Sequence, residues 1–393
     1  MTPCMSNEIH VCILTTAHPI DDVRVKYKFA HAFCEEGYRV FWVGPGHVFF
    51  DRENYRHKNI QFRLGPPNRG RLDRLLAPFR IRKLAATVKD VDVYYAPDPD
   101  SASVALYLAK QNGARVIFDI HEVFHGALLD RWLLGRRLPF IRNYVRQRIT
   151  RICSRCDLVL GVSDAVLAPY LRHDIKYMLI RSCAPSWFVN GKPAEVCETE
   201  RRNFRIMHGK SDLSHGTIHV VEAVALSRAR LHDLHIVMFK PTSGIDDNDC
   251  GDLFARIQKL KLSEFIDMRP AVPMQEMPAI LQTCDAGLVA YGRELGTDSL
   301  PNRLFEYMAA GLAIIAPVYA REIARIIDSE KCGILVDFED PSDIARAILY
   351  LRENPNLCRE MGRRAREAFQ KRHNWETEVR PVIDRIKKWK MQI

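Results

Sequence analysis

The chain has 393 residues, of which 47% are hydrophobic and 27% are charged, and its formal net charge is +10 at pH 7. This length exceeds what one compact core comfortably supports and indicates two domains of about 190 residues each. The composition excludes disordered and fibrous proteins, whereas the positive charge leaves nucleic acid, an anionic membrane surface and anionic substrates open as partners.

The first half of the chain alternates short apolar runs with amphipathic stretches. Runs without in–out alternation, such as residues 11–14, are typical of strands buried on both faces of a parallel sheet. The repeated order of strand, helix and strand predicts a doubly wound α/β sheet. The predicted strands are 10–15, 39–43, 91–95, 114–119 and 157–161, and the predicted helices are 23–35, 72–88, 101–111 and 140–153.

A predicted linker near residue 190 interrupts this alternation of strands and helices. Pro185, Gly191 and Pro193 precede a run of mixed charges, and the strand–helix pattern restarts after it. We therefore expect domains over 1–185 and 205–372, a linker over 186–204, and a basic C-terminal helix within 373–393. The strands predicted in the second half are 204–208, 234–239, 265–268, 286–290, 312–316 and 333–336, and the helices are 217–229, 253–260, 276–283 and 341–353.

Features that the sequence lacks narrow the possible class of protein further. No window of about eighteen uncharged apolar residues occurs, so we expect no membrane-spanning helix. Residues 1–10 lack the basic start and apolar stretch of a secretory signal. The cysteines number 11 and are scattered, which is typical of a reduced intracellular protein. Cys153 and Cys156 form a C-x-x-C pair without the second pair or the nearby histidines that zinc requires.

The segment 298–317 carries the most information. Pro301 fits the first turn of a helix, and Gly311 can end that helix in the left-handed conformation before a buried strand. Amide groups at the helix start, including those of Asn302 and Arg303, would then point toward a phosphate. Glu306 shares a helix face with Asn302, one turn behind that anion site. This arrangement suits a nucleotide sugar, with the diphosphate at the amides and the ribose hydroxyls at Glu306.

An ordinary helix packing Leu304, Phe305 and Met308 into a core would fit the same pattern. The segment nevertheless resembles the donor-site signature of the retaining glycosyltransferases of family 4. Its sequence is Asp298-Ser-Leu-Pro-Asn-Arg-Leu-Phe-Glu306-Tyr-Met-Ala-Ala-Gly. In that family two acids stand eight positions apart and the second precedes an Ala-x-Gly helix end. Here the pair is Asp298 and Glu306, with Asp where many members carry Glu. The resemblance covers nearly all the chain and is closest to a bacterial branch that assembles polysaccharides and glycolipids.

The resemblance implies the α/β GT-B fold, in which two doubly wound Rossmann-like domains face a central cleft. It also implies a C-terminal helix that returns to the N-terminal domain. The N-terminal domain would bind the acceptor and the C-terminal domain would bind the nucleotide sugar. The expected reaction retains the anomeric configuration and uses neither a metal nor a cofactor.

The basic residues that are expected to bind the diphosphate differ from the family pattern. The family places an Arg and a Lys at the positions that Lys210 and His215 occupy here. Lys210 supplies charge as a point rather than as a planar fork. A histidine such as His215 is mostly neutral near pH 7 unless phosphates raise its pKa. Arg303, Arg293 or Arg24 can supply the missing charge.

Polar residues after the first strand form a candidate acceptor site. His18, Asp22 and Arg24 follow this strand directly. Asp21 or Asp22 can instead cap the helix that starts at residue 23, which needs no ligand. Arg24 in the first turn opposes the helix dipole, a mild cost unless an anion is close. We expect Asp22 and Arg24 near the acceptor.

A second strand end carries Asp119-Ile-His121-Glu122. It resembles the family 4 position where a histidine contacts the donor sugar near the transferred carbon, and this role is assigned here to His121, with Asp298 also near the sugar. A loop histidine satisfied by backbone groups is the other interpretation. Asp98 and Asp100 lie on the same rim and are expected to cap the helix predicted at residue 101.

Two basic segments fall in the first half. Residues 131–155 hold eight arginines and no acid, and residues 69–83 hold six basic residues and one acid, both interleaved with apolar side chains. A solvated helix face over a core stripe would explain either segment. The mixture also suits docking on an anionic membrane surface. No recognisable nucleic-acid-binding module occurs, so we expect no nucleic acid partner.

These observations predict a glycosyltransferase of the hexosyltransferase type. It would move a sugar from a nucleotide sugar to a membrane-attached glycan or glycolipid precursor during cell-surface polysaccharide biosynthesis. We expect a cytoplasmic enzyme that is peripheral on the inner face of the cell membrane. Two alternatives remain open: a non-catalytic GT-B relative that acts as a scaffold for another glycosyltransferase, and a nicotinamide-dependent oxidoreductase. The missing glycine fingerprint argues against the oxidoreductase.

Overall fold

The computed structural model describes residues 8–46, 59–121, 139–190, 203–211, 216–240, 247–297 and 299–392. The chain divides into two compact units. The first unit comprises Met1–Arg181 together with Val379–Ile393, and the second unit comprises Ser182–Glu378.

The described part of the first unit contains a parallel sheet of seven strands in the order β3-β2-β1-β4-β5-β6-β7. Its central strands are apolar and buried on both faces, as their sequences indicate. The strands are β1 (His10–Leu14), β2 (Arg39–Pro45), β3 (Ile60–Gly65), β4 (Val93–Ala96), β5 (Arg115–Ile120), β6 (Leu158–Gly161) and β7 (Tyr177–Leu179).

Helices connect these strands. The first helix, α1, starts with π-helical turns over Val23–Ala30 and continues as an α-helix over His31–Glu35. Gly113 ends the third helix in the left-handed conformation, at φ 77°. The other helices are α2 (Arg71–Ala85), α3 (Pro99–Asn112), α4 (Pro139–Cys153) and α5 (Asp164–Leu167), and the end of the C-terminal helix α14 (Trp375–Lys390) also belongs to this unit.

The described part of the second unit contains a parallel sheet of six strands in the order β10-β9-β8-β11-β12-β13. The strands are β8 (Phe204–Lys210), β9 (Leu234–Phe239), β10 (Ile266–Arg269), β11 (Ala286–Leu288), β12 (Ala313–Pro317) and β13 (Gly333–Val336). The helices are α6 (Thr217–Ser227), α7 (Asp247–Lys259), α8 (Met277–Leu281), α9 (Arg293–Gly296), α10 (Asn302–Ala310), α11 (Arg321–Glu330), α12 (Pro341–Glu353) and α13 (Pro355–Arg372), and a 3₁₀ turn spans Ser186–Asn190.

The α/β class and the two doubly wound parallel sheets confirm the predicted fold. Six of the described strands and helices were not predicted: β3, β7, the short helices α5 and α9, and the longer helices α11 and α13. Both strands lie at sheet edges, where a strand is half exposed and carries a weaker apolar signal. The charged residues along α13 hide its narrow buried face, which includes Gly362, Ala365 and Phe369.

Candidate functional site

Each sheet has one topological switch point. In the first unit β1 and β4 are neighbours, and the chain continues from them toward opposite edges of the sheet. In the second unit β8 and β11 are neighbours in the same way. Ligands of open α/β sheets bind beyond the carboxyl ends of the strands at such points. The residues that follow β1, β4, β5 and β8 are therefore the candidates for function.

Beyond β1 and β5 the structure brings together three of the predicted site residues. The ring of His18 and the ring of His121 lie with their centroids 4.9 Å apart. Asp22 Oδ2 lies 3.1 Å from His18 Nδ1, and Asp22 Oδ1 accepts a hydrogen bond from the Val25 amide at 2.8 Å. Asp22 therefore caps α1 and also contacts His18, whereas its predicted place near the acceptor stays a prediction.

Arg24 is buried beneath these residues. Its Nε and Nη2 donate to the two carboxylate oxygens of Asp119 at 2.7 and 2.8 Å, and Nη2 also donates to the Ile180 carbonyl at 3.1 Å. The Tyr95 hydroxyl donates to the same carboxylate at 2.5 Å. Burial alone would raise the pKa of the Asp119 carboxyl, but the charge and hydrogen bonds of Arg24 outweigh it and hold this pKa below its ordinary value.

The second terminal nitrogen of Arg24, Nη1, is buried and has no hydrogen-bond partner among the described residues. A contact between Arg24 and the acceptor stays a prediction, and Nη1 is the atom that could make it. The Asp119 clamp was not predicted, although a carboxylate inside an apolar strand signals a buried cationic partner.

The end of β4 is fastened to the end of β1 through Asp98. Its carboxylate accepts hydrogen bonds from the Thr16 amide at 2.9 Å, the Thr16 hydroxyl at 2.6 Å and the Ser101 amide at 2.9 Å. Asp98 therefore caps α3, as predicted, whereas Asp100 lies inside the first turn of that helix and is not its cap. Arg74 of α2 donates to the Thr16 hydroxyl at 2.5 Å, which places the start of α2 at the same edge of the sheet.

In the second unit, α10 begins one residue later than predicted. Pro301 keeps an extended conformation, with ψ 150°, and occupies the cap position. Gly311 ends the helix at φ 77°, as predicted. Leu304, Phe305 and Met308 are buried in the core, whereas Asn302, Arg303 and Glu306 are half-buried on another face. The helix thus packs into a core on one side and presents its three predicted donor-site residues on the other.

Arg303 connects this helix to the end of β8. Its Nη1 donates to the His208 carbonyl at 3.2 Å, and its guanidinium lies over the Tyr291 ring at 5.4 Å. Gly209, which follows His208 in the chain, has a φ of +85°, a backbone conformation that residues with a side chain rarely adopt. The hydroxyl of Tyr307 is buried beside Gly209 and has no hydrogen-bond partner among the described residues. A buried hydroxyl without a partner marks a place where a ligand oxygen could bind.

Three predicted donor-site residues cannot be placed. Asp298 and His215 lie outside the described residues, and only the backbone of Lys210 is described. Arg293, one of the arginines that could replace the missing charge, forms ion pairs with Asp337 and Glu339. Arg303, in contrast, contacts the end of β8 through the His208 carbonyl, so it is the better candidate of the two for supplying the missing charge.

The described residues include no helix that is both long enough and apolar enough to cross a bilayer. This finding agrees with the absence of a long apolar window in the sequence.

Comparisons with known proteins follow the division into two units. Residues 23–177 match the family described as Glycosyltransferase Family 4. Residues 194–368 match the family described as Glycosyl transferases group 1. No curated protein sequence matches this chain.

Solved structures resemble the whole chain at low sequence identity. Sucrose-phosphate synthase from Thermosynechococcus elongatus superposes with a TM-score of 0.76 at 14% identity, covering 98% of this chain and 100% of that one. HepE from Anabaena, solved in complex with UDP-glucose, gives a TM-score of 0.72 at 12% identity, covering 97% and 100%. A glycosyltransferase from Rickettsia africae gives 0.72 at 14% identity, covering 98% and 99%.

These likenesses show the GT-B fold, and the two family matches agree with the signature around Glu306. The chain belongs to glycosyltransferase family 4 and is a nucleotide-sugar-dependent glycosyltransferase of the GT-B fold.

Proposed function

We propose that this enzyme transfers a sugar from a nucleoside-diphosphate sugar to a membrane-attached glycan or glycolipid precursor, with retention at the anomeric carbon and without a metal. In such a reaction the diphosphate leaves while the acceptor hydroxyl attacks from the same side. The protein then contributes positioning and stabilisation of the departing phosphate. Assembly of a cell-surface polysaccharide is the process that this activity would serve.

The observation that carries the donor proposal is the meeting of α10 with the end of β8. The amides of Asn302 and Arg303 open a nine-residue helix, and helix amides attract phosphate. Arg303 lies 3.2 Å from the backbone that leads into Lys210. The Tyr307 hydroxyl, for which the described residues offer no hydrogen-bond partner, adds a donor beside Gly209. We infer that Lys210, Asn302 and Arg303 bind the diphosphate and that Glu306 binds the ribose hydroxyls.

Thermal unfolding with nucleoside diphosphates tests this donor site. UDP is the first ligand to try, because HepE was solved with UDP-glucose, with GDP and ADP beside it. A ligand at one hundred times its Kd adds about 2.7 kcal/mol, or roughly 5 °C of Tm. We expect a shift for one nucleotide and no shift for Glu306→Ala.

The matched control is Glu322→Ala, which removes a helical carboxylate that pairs with Arg325 in the same unit. It should keep the full nucleotide-induced shift. Melting of Glu306→Ala without nucleotide controls for folding. If Glu306→Ala and the parent protein shift equally, Glu306 does not bind the ribose. If no nucleoside diphosphate shifts the parent protein, the donor proposal is wrong.

For the sugar and the acceptor we infer the following roles. His121 and Asp298 lie near the transferred sugar, and His18, Asp22 and Arg24 lie near the acceptor. The contacts among His18, Asp22 and His121 support a common site for the residues of the first unit. Product analysis with EDTA present, and the anomeric configuration of the product by NMR, test the metal-independent and retaining character.

The membrane part of the proposal is supported by α2. Its residues Leu72, Leu75 and Phe79 are 77%, 64% and 61% exposed, although their spacing is that of a stripe that normally faces a core. The helix also carries five basic residues and one acid. An exposed apolar stripe flanked by arginines is typical of helices that lie in a membrane interface. On α4, Phe140 and Tyr144 are exposed as well, among arginines.

Flotation with lipid vesicles tests this face. We expect binding to vesicles with about one third phosphatidylglycerol, weaker binding to pure phosphatidylcholine, and release by salt. Leu75→Asp with Phe79→Asp should abolish flotation. The double variant Leu226→Asp with Val318→Asp, which alters exposed apolar residues of the second unit, should not. If both double variants float like the parent protein, α2 is not the docking helix.

A further inference from the structure

Two histidines of the first unit, His18 and His121, cannot be protonated independently. Their ring centroids lie 4.9 Å apart, and the side chains of His18 and His121 are only 11% and 15% exposed. Two imidazolium ions at this separation, largely removed from water, repel each other strongly. The neighbouring charges therefore decide which ring holds a proton.

Asp119, the carboxylate below His121, is already neutralised. It accepts two hydrogen bonds from Arg24 and one from Tyr95. His121 Nδ1 lies 3.9 Å from the nearest Asp119 oxygen, beyond hydrogen-bond distance. A proton on His121 would add a charge beside a pair that is already neutral. Burial first of all, together with the charges of His18 and Arg24, holds the pKa of the His121 imidazole below its ordinary value, against the opposing charge of Asp119.

Asp22, the carboxylate beside His18, accepts no hydrogen bond from an arginine in the part of the chain that the structure describes. One of its oxygens caps α1 through the Val25 amide, and the other lies 3.1 Å from His18 Nδ1. A proton on His18 therefore completes an ion pair. Burial alone would raise the pKa of the Asp22 carboxyl, but its hydrogen bond to His18 and the charge of His18 reverse the effect and lower this pKa.

A second carboxylate that interacts with His18 is Asp98. The charge of Arg74, which also donates to the Thr16 hydroxyl, offsets it. With both rings neutral, these three carboxylates and the guanidinium groups of Arg24 and Arg74 sum to one negative charge. Asp100, which also interacts with Asp98, lies 4.0 Å from Arg148 and leaves this sum unchanged. One proton neutralises this set of described groups, and a second would give the set a net positive charge.

We propose that the two rings together hold one proton near neutral pH, that this proton resides on His18 in an ion pair with Asp22, and that His121 stays neutral. The catalytic meaning of this assignment rests on the proposed function, but the proton can be located without any substrate. A cationic His18 suits a phosphate or hydroxyl oxygen of an acceptor. A neutral His121 can exchange hydrogen bonds with a sugar hydroxyl and adds no charge.

NMR titration of the full chain with ¹³C- and ¹⁵N-labelled histidine tests this assignment, with His18→Gln and His121→Gln used to identify the two signals. We expect His18 to be the ring that carries the proton near neutral pH, while His121 is still neutral there. Asp22→Asn, which keeps the helix cap, should lower the proton affinity of His18 about tenfold or more. Asp164→Asn alters an exposed carboxylate elsewhere in the unit and should change neither signal.

Asp119→Asn supplies the opposing test, with Tyr95→Phe as a milder variant in case the first does not fold. Each should change His18 less than Asp22→Asn does. The assignment is overturned if His121 carries the proton near neutral pH in place of His18, if the rings titrate together, or if the change at Asp119 has the larger effect. These titrations need no nucleotide, so a missing nucleotide-induced thermal shift would refute the donor site and leave the proton assignment intact.

Discussion

The buried ion pair of Arg24 and Asp119 allows a sharp test of the first unit. Arg24→Met keeps much of the side-chain volume but removes the charge and the three hydrogen bonds that Arg24 donates to Asp119 and to the Ile180 carbonyl. The carboxylate of Asp119, which is fully buried, then keeps the Tyr95 hydroxyl as its one side-chain hydrogen-bond donor among the described residues. Leaving a buried charge uncompensated is far costlier than losing a surface pair.

We expect Arg24→Met to lower the free energy of unfolding by about 3–5 kcal/mol. The control is Arg363→Met, which removes an exposed arginine paired with Glu360 and should leave the free energy of unfolding nearly unchanged. Because the chain has two units, urea denaturation is best followed by hydrogen exchange on separate peptides. Peptides from β1 and β5 should lose protection in Arg24→Met, whereas those from β8 and β12 should not.

The double variant Arg24→Met with Asp119→Leu separates charge from packing. Removing both charges should cost much less than the sum of the two single changes, because no ion is left buried. A loss below about 1 kcal/mol in Arg24→Met, or additive losses in the double variant, would refute the view that this pair is a compensated buried charge.

Two further outcomes follow from close packing and from pH. An added Cβ at Gly362 would lie 2.1 Å from the Gly311 carbonyl oxygen, so Gly362→Ala should destabilise the second unit by about 1–3 kcal/mol in urea denaturation. Gly251, in α7, has open space around it, and Gly251→Ala should stabilise the protein by about 0.5–1 kcal/mol. The lowered pKa of Asp119 means that its stabilisation is present above about pH 4 and is lost as the pH falls through the folded-state value. Acid titration followed by circular dichroism should show a shallower loss below pH 4 in Arg24→Met.

The sequence was sufficient to predict the elements that are long and apolar. The strands of both sheet centres are continuous apolar runs, so their burial could be read from composition. Most boundaries moved by one to three residues, whereas α7 starts at Asp247, six residues before its predicted start. The helix α3 begins at Pro99 because Asp98 caps it, two residues before the predicted start. The edge strands β3 and β7 gave no such signal, since their side chains are only partly buried.

The site was partly predictable for a related reason. In parallel sheets, residues that directly follow strands gather at one edge, so His18 and His121 were expected at the same edge although they lie far apart in sequence. The partners beneath them were not expected. Which carboxylate Arg24 would bind depends on strand order, because β1 and β5 are brought within reach only by β4 between them. The hydrophobic pattern of a single segment contains no information on the order of strands in the sheet.

The residues at the two topological switch points differ in how far their charges are compensated by neighbouring groups. In the first unit the charges of the buried carboxylates are compensated, that of Asp119 by Arg24 and that of Asp98 by Arg74. Charges that are already compensated need little reorganisation when a ligand binds, which suits the neutral sugar of the proposed function. In the second unit Arg303 bonds to a carbonyl, which leaves its charge uncancelled by that contact. A cation held by a neutral partner keeps its field for a ligand, which is what a departing diphosphate requires.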